Sequence, residues 1–157
     1  MLSIVIPYHN EELLPFTVQR LQETVHIPYE IIVVDDGSDQ PAVLPSWIQQ
    51  IHFPLPRGTE VARHTGIVAA RYDTVLVLDA QMNFWDDDWA ERLVAYSVAN
   101  PTHVGCTICL HLEPERMAME YATRRYFGAH VIAMESVPKT SLAPALMPHP
   151  LLVEHWN

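Results

Sequence analysis

The residues best equipped for chemistry in this chain stand where short apolar runs stop. Val75-Leu76-Val77-Leu78 ends at Asp79-Ala80-Gln81, and Ile31-Ile32-Val33-Val34 ends at Asp35-Asp36-Gly37-Ser38. Ser3-Ile4-Val5-Ile6 ends at Pro7-Tyr8-His9-Asn10-Glu11-Glu12. An aspartate at the end of a buried strand needs a cation, a hydroxyl or backbone donors to stay ionised. Asp79 and Gln81 point the same way in extended chain, which suits two oxygen ligands on one divalent ion that bridges to a diphosphate. Asp79 holding a loop through backbone hydrogen bonds is the competing reading. Asp35 and Asp36 are adjacent and face opposite ways. One holds the turn through Gly37 and Ser38, while the other accepts hydrogen bonds from a base imide or a ribose hydroxyl; an acidic turn without a ligand fits the same pattern. Tyr8 has the shape to stack on a base or to cover the sheet edge. Arg57 and Arg63 precede the Asp79 strand, and either offers a cation to a phosphate.

Runs of this kind are expected of buried parallel strands, whose carboxyl ends form the ligand-binding edge of an open α/β sheet. The first strand covers about residues 2–6 and stops at Pro7. Asn10 or a neighbour caps the next helix, with Glu11 and Glu12 in its first turn and Leu14, Val18, Leu21 and Val25 on one face. Pro28 closes the crossover to a strand at about 30–35. A weaker helix at 41–50 and a short strand at 51–53 follow. The next helix spans 58–71, with Val61, Ala62, Ile67, Val68, Ala69 and Ala70 as a narrow apolar face that sits close to the sheet. It leads to a central strand at 74–78. Asp86-Asp87-Asp88 opens a helix to about Ala99, and a strand at 103–110, a helix at 115–126 and a strand at 130–134 complete the pattern. This alternation predicts an α/β fold with a mostly parallel, doubly wound sheet over residues 1–135. In 136–157, Pro138, Pro144, Pro148 and Pro150 break any long element, so the tail reads as a wrapping loop or the start of a further region.

Composition narrows the function classes. A chain of 157 residues with 49% hydrophobic residues can bury one core. Its net charge of −10, from 9 Lys+Arg against 19 Asp+Glu, disfavours a nonspecific nucleic-acid grip. The same surplus suits a site where a divalent cation meets a diphosphate. Cys106 and Cys109 fall in an apolar strand, where i and i+3 face opposite ways, so buried reduced thiols are expected. With no basic leader and no apolar stretch of ~18 residues, the expected location is cytoplasmic and no transmembrane segment is expected. The chain carries no Gly-x-Gly-x-x-Gly, no Gly-x4-Gly-Lys-Ser/Thr and no Gly-x-Ser-x-Gly. Dinucleotide enzymes, P-loop NTPases and hydrolases with a nucleophile elbow therefore lose their main support.

Segments 3–12, 31–38, 75–81 and Ala62-Arg63-His64-Thr65-Gly66, in that order and spacing, resemble family 2 glycosyltransferases and polypeptide N-acetylgalactosaminyltransferases, both of the GT-A fold. The resemblance spans roughly residues 3–135 and implies transfer of a sugar from a nucleotide-diphosphate donor, usually a UDP sugar, with Mn or Mg. It puts Pro7, Tyr8, Asn10, Glu11, Asp36, Arg63 and Asp79 on the nucleotide sugar, and Asp79 and Gln81 on the metal. Two departures stand out. Gln81 replaces the usual second Asp or His of the metal motif, and a neutral amide is a poorer ligand. Such transferases also continue into an acceptor half with a catalytic base, so this chain reads as a donor-binding half, a truncated form or a silent nucleotide-sugar module. Glu113 and Glu135 are available as bases without being singled out. The two relatives differ in stereochemistry, leaving inversion and retention both open. Saccharide, protein, lipid headgroup and modified base remain acceptors to be distinguished. A sugar-phosphate nucleotidyltransferase lacks its glycine-rich, basic start after the first strand.

Overall fold

The computed structural model describes residues 1–84, 87–105 and 134–135. Near-continuous apolar runs become β1 (Leu2–Tyr8), β2 (Tyr29–Asp35) and β4 (Val75–Val77), whose side chains are buried on both faces as expected of interior parallel strands. With β3 (Gln49–His52) and β5 (Met134–Glu135) they form one sheet in the order β3-β2-β1-β4-β5. β1 to β4 run parallel, and β5 is antiparallel to β4. The helices α1 (Leu14–Thr24), α2 (Thr59–Ala69) and α3 (Trp89–Ala99) cover both sides. Even-numbered β1 residues Leu2, Ile4 and Ile6 join Leu14, Val18 and Leu21 of α1 and Leu93 of α3 in one cluster. Val5, Ile32, Val34 and Val77 meet Ala62 of α2 in the other. This doubly wound arrangement agrees with the fold read from the sequence.

The α1 face is the expected Leu14–Val18–Leu21 stripe, continued by Val25. α2 approaches the sheet more closely. Its buried positions are Ala62 and Gly66, and a Cβ at Gly66 would overlap Val5 Cγ1, so only glycine permits this spacing. Val61 and Val68 are exposed, so the expected apolar face narrows to Ala62, Ala70 and the partly buried Ile67 and Ala69.

Several expected boundaries move. β1 runs through Pro7 to Tyr8. No helix forms at 41–50: Pro41 and Pro45 interrupt it, residues 41–45 are irregular, and Ile48 turns back on Pro45. Asn10 does not cap α1. That helix begins with Leu13 at its N-cap and Pro15 in its first turn, and has no acidic residue there. Glu11 instead accepts from the Leu13 amide at 3.1 Å. Residues 103–105 are loop, with His103 N–H bonded to Asn100 O. The remainder of the strand at 103–110, the helix at 115–126, Cys106, Cys109, Asp86 and the proline-rich tail lie outside the described residues. Among the described residues, no helix is long and apolar enough to cross a membrane.

Candidate functional site

The strand order reverses at β1, with β2 and β3 on one side and β4 on the other. Ligands of open α/β sheets bind at such a switch point, beyond the carboxyl ends of the strands. Pro7 helps to open it. Ser3 donates to Thr74 O, and Val5 O accepts from Leu78 N–H, so odd-numbered β1 residues bond toward β4. The donor that Pro7 lacks therefore falls on the β4 side, beyond Val77, and the two strands part there. A cavity of about 400 Å³ occupies this position.

Of the residues expected at the site, Pro7, Tyr8, Glu11, Asp36, Arg63, Asp79 and Gln81 line the cavity. Asn10 does not. At φ 52° it occupies the left-handed region and ties the β1 exit to the β2 exit. Its amide N–H donates to Ser38 Oγ at 2.9 Å, and its side-chain oxygen accepts from Asp39 N–H at 2.9 Å. Tyr8 is buried, with its hydroxyl accepting from Ala42 N–H at 2.9 Å. Burial is the main cause that raises the Tyr8 pKa. Arg57 does not line the cavity; its guanidinium sits 5.1 Å from the Phe53 ring centroid.

The paired aspartates divide their work. Asp35 Oδ1 accepts from Ser38 N–H at 2.8 Å, while Oδ2 lies 2.9 Å from His52 Nδ1. Burial pushes the Asp35 carboxyl up, but hydrogen bonds from Ser38, His52 and Tyr8 outweigh it and hold the pKa below its usual value. Asp36 points to the other loop, where Oδ1 accepts from Arg57 N–H at 2.6 Å and Oδ2 from Gly58 N–H at 2.9 Å. Gly37, at φ 71°, allows the turn between them to pass where a Cβ would lie 2.5 Å from Pro56 N.

Opposite Asp36 lies the β4 exit. The Asp79 side chain is 30% exposed, and Oδ1 lies 3.9 Å from Arg63 NH2. Arg63 also bonds Glu60 at 3.0 Å, while its buried Nε–H has no partner among the described residues. An unsatisfied guanidinium donor beside a carboxylate suits a ligand with several acceptor oxygens, such as a phosphate.

His9, Thr59, Ala62 and Ala80, which are not among the residues expected at the site, also line the cavity. His9 Nδ1 is 2.8 Å from Asp36 O; a carbonyl only accepts, so this nitrogen carries the hydrogen. Its place between Tyr8 and Asn10 was the available signal. Counting back by one helical turn from Arg63 reaches Thr59.

The donor set fits a hard divalent cation of the kind held by one or two protein oxygens and completed by ligand phosphates and water. Asp79 and Gln81 offer a carboxylate and an amide oxygen on the same cavity wall. Among the described residues, no group of three or more His, Cys, Asp or Glu forms a protein cage, and a diphosphate-bridged ion does not require one. Glu135 belongs to β5, and Glu113 lies outside the described residues.

The chain matches Glycosyl transferase family 2 over residues 3–141. No curated protein matches it by sequence. Among solved structures, the crystal structure of S. aureus TarS 1-349 is similar at TM-score 0.52 and 16% identity, covering 63% of this chain and 32% of that one. At that identity the likeness is one of fold, and the chain spans about a third of the TarS structure's length, the 32% just given. Most of the chain, including all the cavity-lining residues, falls within the family match, so this protein belongs to glycosyltransferase family 2.

Proposed function

We propose that the cavity binds the diphosphate end of a nucleotide-sugar donor, a UDP sugar, and that the chain supplies the donor side of a glycosyl transfer. The observation that carries this reading is the convergence of Asp36, Arg63, Asp79 and Gln81 from three different elements on one cavity at the switch point of the sheet. Pro7, Tyr8 and Asp36 border the part that takes the base and ribose. Asp36 has spent one lone pair of each oxygen on Arg57 and Gly58, so it accepts further hydrogen bonds while its loop stays fixed.

In the transfer, the bond from the anomeric carbon to the diphosphate oxygen breaks as the acceptor oxygen bonds to that carbon. Negative charge then collects on the departing diphosphate, where Arg63 donates hydrogen bonds. Mn or Mg, held by Asp79 and Gln81, would add positive charge to the same oxygens. The acceptor hydroxyl must lose its proton to a base, and the described residues assign none.

Calorimetric titration with UDP and Mn, comparing the wild type with Asp79→Ala, tests the reading. Binding is expected to weaken by about tenfold or more in the variant. An unchanged dissociation constant would put the donor elsewhere. The neutral Gln81 favours a second reading, a module that binds nucleotide sugar without transferring it. Release of free sugar from a UDP sugar by the wild type, lost in Asp79→Ala, would exclude that alternative.

A further inference from the structure

The loop that carries Gln81 is fastened from the far side by α1. Thr17 Oγ1, completely buried, lies 2.7 Å from Ala80 O and 3.1 Å from Met82 O, and accepts from Met82 N–H at 2.8 Å. One hydroxyl thus gathers backbone groups from both neighbours of Gln81. Its single hydrogen is shared between the two carbonyls, while a lone pair takes the amide. One turn further along α1, Arg20 Nε donates to Asn83 Oδ1 at 2.7 Å and NH2 donates to Phe84 O at 2.9 Å. Phe84 in turn stacks on Trp89 of α3, with centroids 4.5 Å apart.

We infer that Thr17 is a positioning residue for Asp79 and Gln81, with Arg20 securing the end of the same loop. The inference rests on the donor reading of the cavity. Its physical basis is independent of any ligand: the last contact with β1 is Leu78 N–H to Val5 O, and the buried backbone groups of the loop that follows must be paired by other means. Thr17 supplies that pairing and bends the loop so that Gln81 stays exposed on the cavity wall, two residues from Asp79. Neither Thr17 nor Arg20 lines the cavity, so any effect on binding must pass through the loop.

Three variants test this on the full chain. Thr17→Val keeps the shape and removes the hydroxyl, Thr17→Ser restores it, and Arg20→Gln loosens the loop from its partly exposed end in case Thr17→Val fails to fold. Hydrogen exchange at the Met82 amide reads loop order without ligand, and UDP titration with Mn reads its consequence. Thr17→Val is expected to lose protection at Met82 and to bind UDP with Mn about tenfold to a hundredfold more weakly, as when a supporting group behind a ligand is removed. Thr17→Ser should recover most of both, and Arg20→Gln should weaken binding in the same direction. Unaltered Met82 exchange in a folded Thr17→Val, or unaltered UDP affinity in both Thr17→Val and Arg20→Gln, overturns the inference. Failure of the wild type to bind UDP while Met82 loses protection in Thr17→Val would instead overturn the donor reading, and the inference with it.

Discussion

The two walls of the cavity both begin as apolar strands that stop at aspartate, yet they use that aspartate differently. On the β2 side, Asp35 and Asp36 are 4% and 7% exposed, and all four of their side-chain oxygens are engaged with groups of the same chain. On the β4 side, the Asp79 side chain is 30% exposed and pairs with Arg63 at 3.9 Å. The β2 aspartates hold loops together; the β4 loop is held by Thr17 and Arg20 from behind, which leaves Asp79 turned toward the cavity. The same sequence signature therefore yields a buried scaffold on one side and a partly exposed, cavity-lining carboxylate on the other.

The largest effect expected from breaking this contrast is that of Asp36→Ala. It strands the amides of Arg57 and Gly58, which the buried carboxylate now satisfies, and each charge-assisted hydrogen bond of this kind contributes about 1.5–3 kcal/mol. Urea unfolding should show a loss of about 3 kcal/mol, whereas Asp79→Ala, at a more exposed position, should stay within about 1 kcal/mol. Equal losses in the two variants would erase the distinction between the walls.

Asp35 gives a smaller effect that is sensitive to pH. Its native carboxyl titrates below the usual 3.8, so the unfolded chain takes up the proton first. The stabilisation is fully present above about pH 3.8 and is lost as acid carries the solution down through the native value. Asp35→Asn keeps an oxygen for Ser38 N–H but puts an amide nitrogen against His52, at a cost of about 1–2 kcal/mol near neutrality. Its melting temperature should then vary less than the wild type's between pH 5 and pH 3, measured by circular dichroism. A wild-type acid limb that Asp35→Asn leaves unchanged would remove Asp35 from the scaffold.

How much of this was legible in the sequence follows from the same physics. Continuous apolar runs announced β1, β2 and β4, because strands buried on both faces admit few other residues. The Leu14–Val18–Leu21 period announced α1. Residues 41–50 misled, since their apolar residues read as helical although Pro41 and Pro45 remove the donors a helix needs and Ile48 alone is buried as an anchor. Asn10 misled in another way: it has the chemistry of a cap, but its partners are Ser38 and Asp39, distant in sequence. The strand ends brought most of the expected cavity residues together, while the roles of Asp35 and Asp36 depended on amides from Ser38 and from Arg57 and Gly58, which no local pattern reveals. Thr17 was hidden for the same reason, because a threonine on a buried helix face reads as packing until the loop it holds is in view.

Gln81 provides the finest adjustment of the comparison. If the β4 wall faces a cation, replacing its amide with a carboxylate should strengthen that role without disturbing the scaffold, since Gln81 is exposed and its neighbours are already fixed by Thr17. Gln81→Asp should change stability by no more than about 0.5 kcal/mol. In the presence of UDP it should raise the affinity for Mn by about threefold to tenfold, because ligand charge tunes affinity for hard cations. Without a cation, the added carboxylate repels Asp79, so the variant should be slightly less stable in chelator and recover on adding Mn, a crossover that a simple surface change would not produce. Manganese affinity that stays flat, with no crossover, would mean that the β4 wall does not present Asp79 and residue 81 to a shared ion, and Arg63 would then be the cation that answers the diphosphate.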